Sequence, residues 1–141
     1  MLFTDLPLNP NILKGIAELG FEKPTPVQEA TIGKLIGEER DLIGLAQTGT
    51  GKTAAFGLPM IEKIDVKSKN VQGLVIAPTR ELCVQISNDF KAFSKYIPKL
   101  NIATIYGGAS MDKQAKEIRS GAQIIVATPG RLMDMMRRKM V

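Results

Sequence analysis

The sequence contains no histidine and one cysteine, Cys83. A lone thiol cannot close a disulfide within the chain, so a cross-linked scaffold of the secreted kind is excluded. With no imidazole and a single thiolate, a zinc site lacks its usual donors. No apolar run reaches the roughly 18 residues that a membrane-spanning helix needs. The first ten residues mix Asp5 with prolines and carry no basic flank before an apolar stretch, so they do not read as a secretory signal. Repeats, low-complexity tracts and interdomain linkers are also missing. A reducing, cytoplasmic setting fits these absences.

What is present suits one domain. The chain has 141 residues, 44% of them hydrophobic and 23% charged, enough for a single substantial core. Its net charge of +5 is compatible with a polyanionic partner, as it is with many cytoplasmic proteins. The cluster Arg137, Arg138 and Lys139 reads as a solvated helix end, with cations near the negative pole of the dipole.

Helices and strands are punctuated clearly. Asn9 is an N-cap, Pro10 stands at the first helical position and Gly20 stops the run, with Ile12, Leu13, Ile16 and Leu19 at helical spacing. A second helix starts with Thr25 as cap and Pro26 at its first position, its apolar side formed by Ile32, Leu35 and Ile36. The period then changes. Residues 41–45, 73–77, 102–106 and 123–127 are short β-rich runs, separated by helical stretches over 52–64, 80–96 and 111–119, the last capped by Ser110 and stopped by Gly121. Alternation at this spacing predicts an α/β fold, a parallel β-sheet flanked by helices and built from right-handed βαβ units. Residues 65–70 form a polar loop, and Met133, Met136 and Met140 read as core or interface packing. Cys83 reads as a small buried side chain.

Each β-rich run leads into a turn rich in Gly, Thr or Pro: residues 46–51, Pro78–Thr79, Gly107–Gly108 and Thr128–Pro129–Gly130. Ligands of open parallel sheets bind beyond the carboxyl ends of the strands, so all four turns are expected on one functional edge. The strongest of them is AQTGTGKT, from Ala46 through Gln47, Thr48, Gly49, Thr50, Gly51 and Lys52 to Thr53. It matches a phosphate-binding loop except for alanine at the first position. Gly49 and Gly51 let backbone amides turn inward, and the helix start adds partial positive charge. Lys52 is placed to reach β- and γ-phosphates, and the Thr53 hydroxyl to ligate Mg²⁺. A glycine-rich turn that binds nothing is the bland alternative, and the strand-to-helix context argues against it.

Four more segments resemble one family. GFEKPTPVQ (residues 20–28) is similar to the Q motif of DEAD-box RNA helicases, with Phe3 standing 17 residues before Gly20. AQTGTGKT (46–53) resembles that family's motif I, alanine included. PTREL (78–82) looks like motif Ia, Gly107–Gly108 like the GG motif, and TPGR (128–131) like motif Ib. The resemblance spans nearly the whole chain, in the family's order. It implies residues 1–141 as the N-terminal part of a first RecA-like, P-loop NTPase domain, in which ATP and Mg²⁺ are used and RNA is held by its sugar-phosphate backbone. Phe3, Phe21, Lys23 and Gln28, with the loop through Ala54, would contact ATP. Lys52 and Thr53 would serve catalysis. Pro78, Thr79, Arg80, Gly107, Gly108, Thr128, Gly130 and Arg131 would grip RNA without reading its sequence. The resemblance places the acidic motif II and the second RecA-like domain beyond Val141. The chain alone is therefore expected to bind nucleotide without turnover, as part of an enzyme that separates short RNA duplexes.

Plainer readings stand beside these. Thr25 and Gln28 have capping-box spacing, so Gln28 could satisfy only its own helix. Arg80 and Arg131 lie near helix starts, where a cation opposes the dipole; an anionic ligand explains that, and so do ion pairs with Glu81 or Asp134. Other functions compatible with the chain are a DNA helicase, an unrelated P-loop ATPase, and a non-enzymatic RNA- or partner-binding module.

Overall fold

The computed structural model describes residues 1–49 and 51–141; Thr50 of the phosphate loop lies outside the described residues. The chain divides into two compact units, residues 1–63 with 92–97 and residues 64–91 with 98–141.

The first unit is helical. A short 3-10 turn, Phe3–Asp5, precedes helix α1 (Pro10–Glu18). Asn9 caps α1 as its sequence predicts, its Oδ1 accepting from the amides of Asn11 and Ile12 at 3.0 and 3.1 Å. The backbone amide and Nδ2 of Asn9 both donate to Glu62, at 2.9 and 2.8 Å, which ties the start of α1 to a side chain 53 residues on. Helix α2 (Pro26–Gly37) packs closely against α3 (Lys52–Glu62). Ile12, Ile16, Ile32, Leu58 and Ile61 are buried, each worth about 1.5–3 kcal/mol, whereas Leu19 is exposed. Phe21 stacks on buried Phe3 with ring centroids 5.6 Å apart and meets the Phe93 ring at 6.0 Å, tilted by 60°.

Residues 41–45 are not a strand, contrary to the pattern. A strand exists only as one half of a hydrogen-bonded pair, and no described segment pairs with this one. Ile43 and Leu45 are 91% and 93% exposed, so the apolar residues that suggested a buried strand lie open.

The second unit holds the sheet. Strands β1 (Gly73–Ile76), β2 (Ile102–Ile105) and β3 (Ile124–Ala127) pair in parallel in the order β1-β3-β2, with Gly73 and Ile102 both opposite Ile124. Central β3 is buried on both faces, as its unbroken apolar run requires. Between the strands run α4 (Arg80–Phe93) and α5 (Met111–Arg119), and α6 (Pro129–Arg137) follows β3. Ala103, Ile105, Ile125 and Ala127 pack with Ala115 of α5 and Leu132 and Met135 of α6. Thr104 faces α4, its hydroxyl 2.8 Å from that of Ser87. Of the methionine stripe, Met140 packs at the core margin, whereas Met133 and Met136 are exposed and outside the core; Met135 between them is the buried one. The period of α6 places position 135 inward and its neighbours at 133 and 136 outward.

Candidate nucleotide and RNA backbone sites

In the first unit, α2 and α3 meet at the phosphate loop. Gly51 stands before α3 with φ +84°, and Gly49 has φ +83°, both in the left-handed region that glycine enters without strain. The Gly51 carbonyl accepts from Ala55 N–H at 3.2 Å and from Gln28 Nε2 at 3.1 Å. A Cβ on Gly51 would lie 2.2 Å from that Nε2. Glycine is therefore required here twice, by backbone angle and by close approach. The helix starts with Lys52, Thr53 and Ala54, whose amides have no intrahelical acceptor by the geometry of a first turn. Lys52 is exposed and Thr53 half-buried.

Gln28 is 3% exposed and closes the capping box, its Oε1 accepting from Thr25 N–H at 2.9 Å. Capping and loop contact are thus both made by one amide. Its donor and acceptor inventory leaves one Nε2 hydrogen and one Oε1 lone pair. Phe3 lies beneath Phe21, 3% exposed, so its place is support for that ring, which is itself half-buried. Lys23, Gln47 and Thr48 are exposed and Ala46 is half-buried.

In the second unit the parallel register brings three turns to one edge, because PTREL, the glycine pair and TPGR follow the carboxyl ends of β1, β2 and β3. The expectation that the phosphate loop shares this strand-end origin fails, since no strand precedes it. Pro78, Thr79, Arg80, Gly107, Gly108 and Gly130 are exposed, and Thr128 is half-buried at the start of α6. Thr79 Oγ1 accepts from Leu82 N–H at 3.2 Å, so this hydroxyl starts α4. The Arg80 guanidinium lies over the Tyr106 ring, 4.8 Å from its centroid, a cation–π contact rather than an ion pair with Glu81. Arg131 Nη1 donates to the Ala109 carbonyl at 3.0 Å and to Gln114 Oε1 at 3.1 Å. Asp134, its alternative partner, pairs with Arg138 at 3.1 Å instead. Both arginines at helix starts are therefore held by neutral groups. Tyr106, Ala109 and Gln114 were not legible as part of this edge, because a carbonyl, a ring face and a helical glutamine carry no motif.

Cys83 is fully buried. Its thiol points at the Val126 carbonyl, 3.2 Å away, and burial raises its pKa above the ordinary value. No cluster of three or more His, Cys, Asp or Glu that could hold a metal occurs among the described residues. Among the described residues no helix is long and apolar enough to cross a membrane.

The sequence model of the DEAD/DEAH box helicase family matches residues 25–141. The chain is 48% identical over 136 residues to the ATP-dependent RNA helicase DeaD of Mycobacterium tuberculosis, covering 96% of this chain and 24% of that protein. It is 50% identical over 137 residues to the ATP-dependent RNA helicase CshA of Listeria monocytogenes, covering 97% and 26%. The chain thus spans about a quarter of the length of these curated relatives. The crystal structure of a DEAD box protein from the hyperthermophile Methanococcus jannaschii superposes with a TM-score of 0.94 at 37% identity, covering 100% of this chain and 38% of that one. A hypothetical ATP-dependent RNA helicase from Sulfolobus tokodaii superposes with a TM-score of 0.82 at 33% identity, covering 95% and 38%. A family match over most of its length, and close likeness to solved members of RecA-like fold, agree with the five motifs: the chain belongs to the DEAD/DEAH box helicase family.

Proposed function

We propose that this chain is the ATP- and RNA-binding portion of a cytoplasmic ATP-dependent RNA helicase that separates short duplexes with a second RecA-like domain. The observation that carries the reading is the Gln28 amide seated on the Gly51 carbonyl, which joins a base-reading side chain to a phosphate loop at one helix start. The amides of α3's first turn and the Lys52 ammonium attract the phosphates. The remaining donor and acceptor of Gln28 match the adenine edge, with Phe21, backed by Phe3, and Lys23 beside the base. Gln47 and Thr48 belong to the loop offered to the phosphates, between Ala46 and Ala54. The Thr53 hydroxyl, a hard oxygen in the first helical turn, suits Mg²⁺, which when bound neutralises charge between the phosphates. On the sheet edge, the hydroxyls of Thr79 and Thr128, the backbone of Pro78, Gly107, Gly108 and Gly130, and the guanidinium groups of Arg80 and Arg131 suit a sugar-phosphate backbone and leave its sequence unread.

Calorimetric titration tests the nucleotide half. Lys52→Ala should weaken ADP binding about tenfold or more, while adenosine binding changes little, because the lost charge faces phosphate. Equal losses for ADP and adenosine would place Lys52 outside a phosphate site. GDP bound as tightly as ADP would remove the adenine role of Gln28.

A further inference from the structure

Gln114 stands in the first turn of α5 and belongs to none of the five motifs, yet it is 5% exposed and both ends of its amide are engaged. Its Nε2 donates to the Tyr106 carbonyl at 3.0 Å, and its Oε1 accepts from Arg131 Nη1 at 3.1 Å. The same Nη1 donates to the Ala109 carbonyl at 3.0 Å. Tyr106 and Ala109 flank Gly107–Gly108 on either side. The carbonyls that bracket the glycine pair are therefore held at once, one by Gln114 directly and one through Arg131.

We infer that Gln114 is a positioning residue for RNA backbone binding: it sets the glycine turn and aims Arg131 while leaving the arginine's charge unneutralised. This inference rests on the proposed RNA role of that edge.

Two physical arguments support it. A diglycine turn has more backbone freedom than any other pair, and Gly108 sits at φ +83°, so ordering it on RNA would cost affinity unless the turn were already fixed. Tying both flanking carbonyls supplies that order before RNA arrives. The second argument concerns charge. Both hydrogens of Arg131 Nη1 are committed, which leaves the Nε and Nη2 edge, three donors in a planar fork that suits a phosphate. A carboxylate at position 114 would aim the guanidinium equally well but would cancel its charge. A primary amide is the side chain of this length that offers the Tyr106 carbonyl a donor and Arg131 a neutral acceptor.

The test is fluorescence anisotropy of a labelled short oligouridylate with this chain, over a series of salt concentrations, with thermal unfolding as a check on folding. Gln114→Glu should weaken binding about tenfold, the scale of one charge-assisted contact. It should also flatten the dependence of log affinity on log salt by about 0.7, the signature of one lost phosphate contact on a single strand. Gln114→Met, which keeps the size and removes the hydrogen bonds, should weaken binding too. In an Arg131→Ala background both changes should weaken binding less than they do alone, the remainder being the direct hold on the Tyr106 carbonyl. Losses at position 114 that add fully to Arg131→Ala, or an unchanged salt slope in Gln114→Glu while Arg131→Ala flattens it, would overturn the positioning role. If Arg131→Ala alone leaves affinity and slope unchanged, or the unsubstituted chain does not bind the oligouridylate, the reading of this edge as an RNA site fails first, and the inference falls with it.

Discussion

In the second unit each motif-bearing turn leaves a strand whose neighbours fix its position, and β3 is paired along its whole length on both sides. In the first unit the phosphate loop leaves residues 41–45, which no described segment pairs and whose Ile43 and Leu45 lie open to solvent. The loop is held instead from the side, by the Gln28 amide on the Gly51 carbonyl and by the packing of α2 on α3. Glycine-bearing turns thus continue from paired strands in one region, and in the other from a segment outside the ladder, with a side-chain contact on Gly51. A ladder spreads the constraint over many backbone bonds, whereas a side-chain contact makes the loop sensitive to the residues that form it.

The sharpest way to break that contrast is Gly51→Ala. The left-handed φ alone costs about 1–3 kcal/mol for a residue with Cβ, and the new atom would displace the Gln28 amide that it meets at 2.2 Å. ADP affinity should fall well beyond tenfold in calorimetry. An affinity within about twofold of the unsubstituted chain would show that the loop does not depend on this seat.

Gln123→Ala probes the ladder side. Gln123 is 1% exposed; its Nε2 donates to the Ser68 and Lys99 carbonyls at 3.1 and 3.2 Å, and its Oε1 accepts from Asn101 N–H at 2.8 Å. Truncation leaves three backbone groups without this partner and should cost about 2–4 kcal/mol in urea denaturation. ADP affinity under native conditions should hold. A parallel loss of ADP affinity would mean that the two regions are not separately fixed.

The smallest effect concerns Asp89 on α4, whose carboxyl is raised above its ordinary pKa by burial. A raised folded pKa gives stability that is present below the unfolded pKa and lost as pH rises through the folded one. Asp89→Asn should therefore raise the melting temperature slightly near neutral pH and leave it unchanged in acid below about pH 3. No change at neutral pH would show that this carboxylate is solvated at no cost.

The elements legible in advance were those with local causes. Asn9 before Pro10, Ser110 before Met111 and the proline starts of α2 and α6 announced helices through capping chemistry that involves only near neighbours. The motif turns were legible because glycine, hydroxyl and guanidinium at fixed spacing have few other uses. The predicted ends of α3 and α4 ran past the observed ones, because a fraying terminus leaves little mark in composition.

The sequence by itself determined the α/β alternation, the glycine-rich loop before α3 and the family, and it supplied the residues proposed for nucleotide and RNA, since each rests on local conformation or on motif. Tertiary structure alone decided the strand order β1-β3-β2, the absence of a strand at 41–45, the outward turn of Met133 and Met136, and the joining of Gln28 to Gly51 and of Gln114 to Arg131. The reason is physical. A strand's existence and a buried amide's role depend on which partner stands opposite, and that partner lies 17 to 23 residues away in the two amide contacts and about 50 in the β1–β3 pairing.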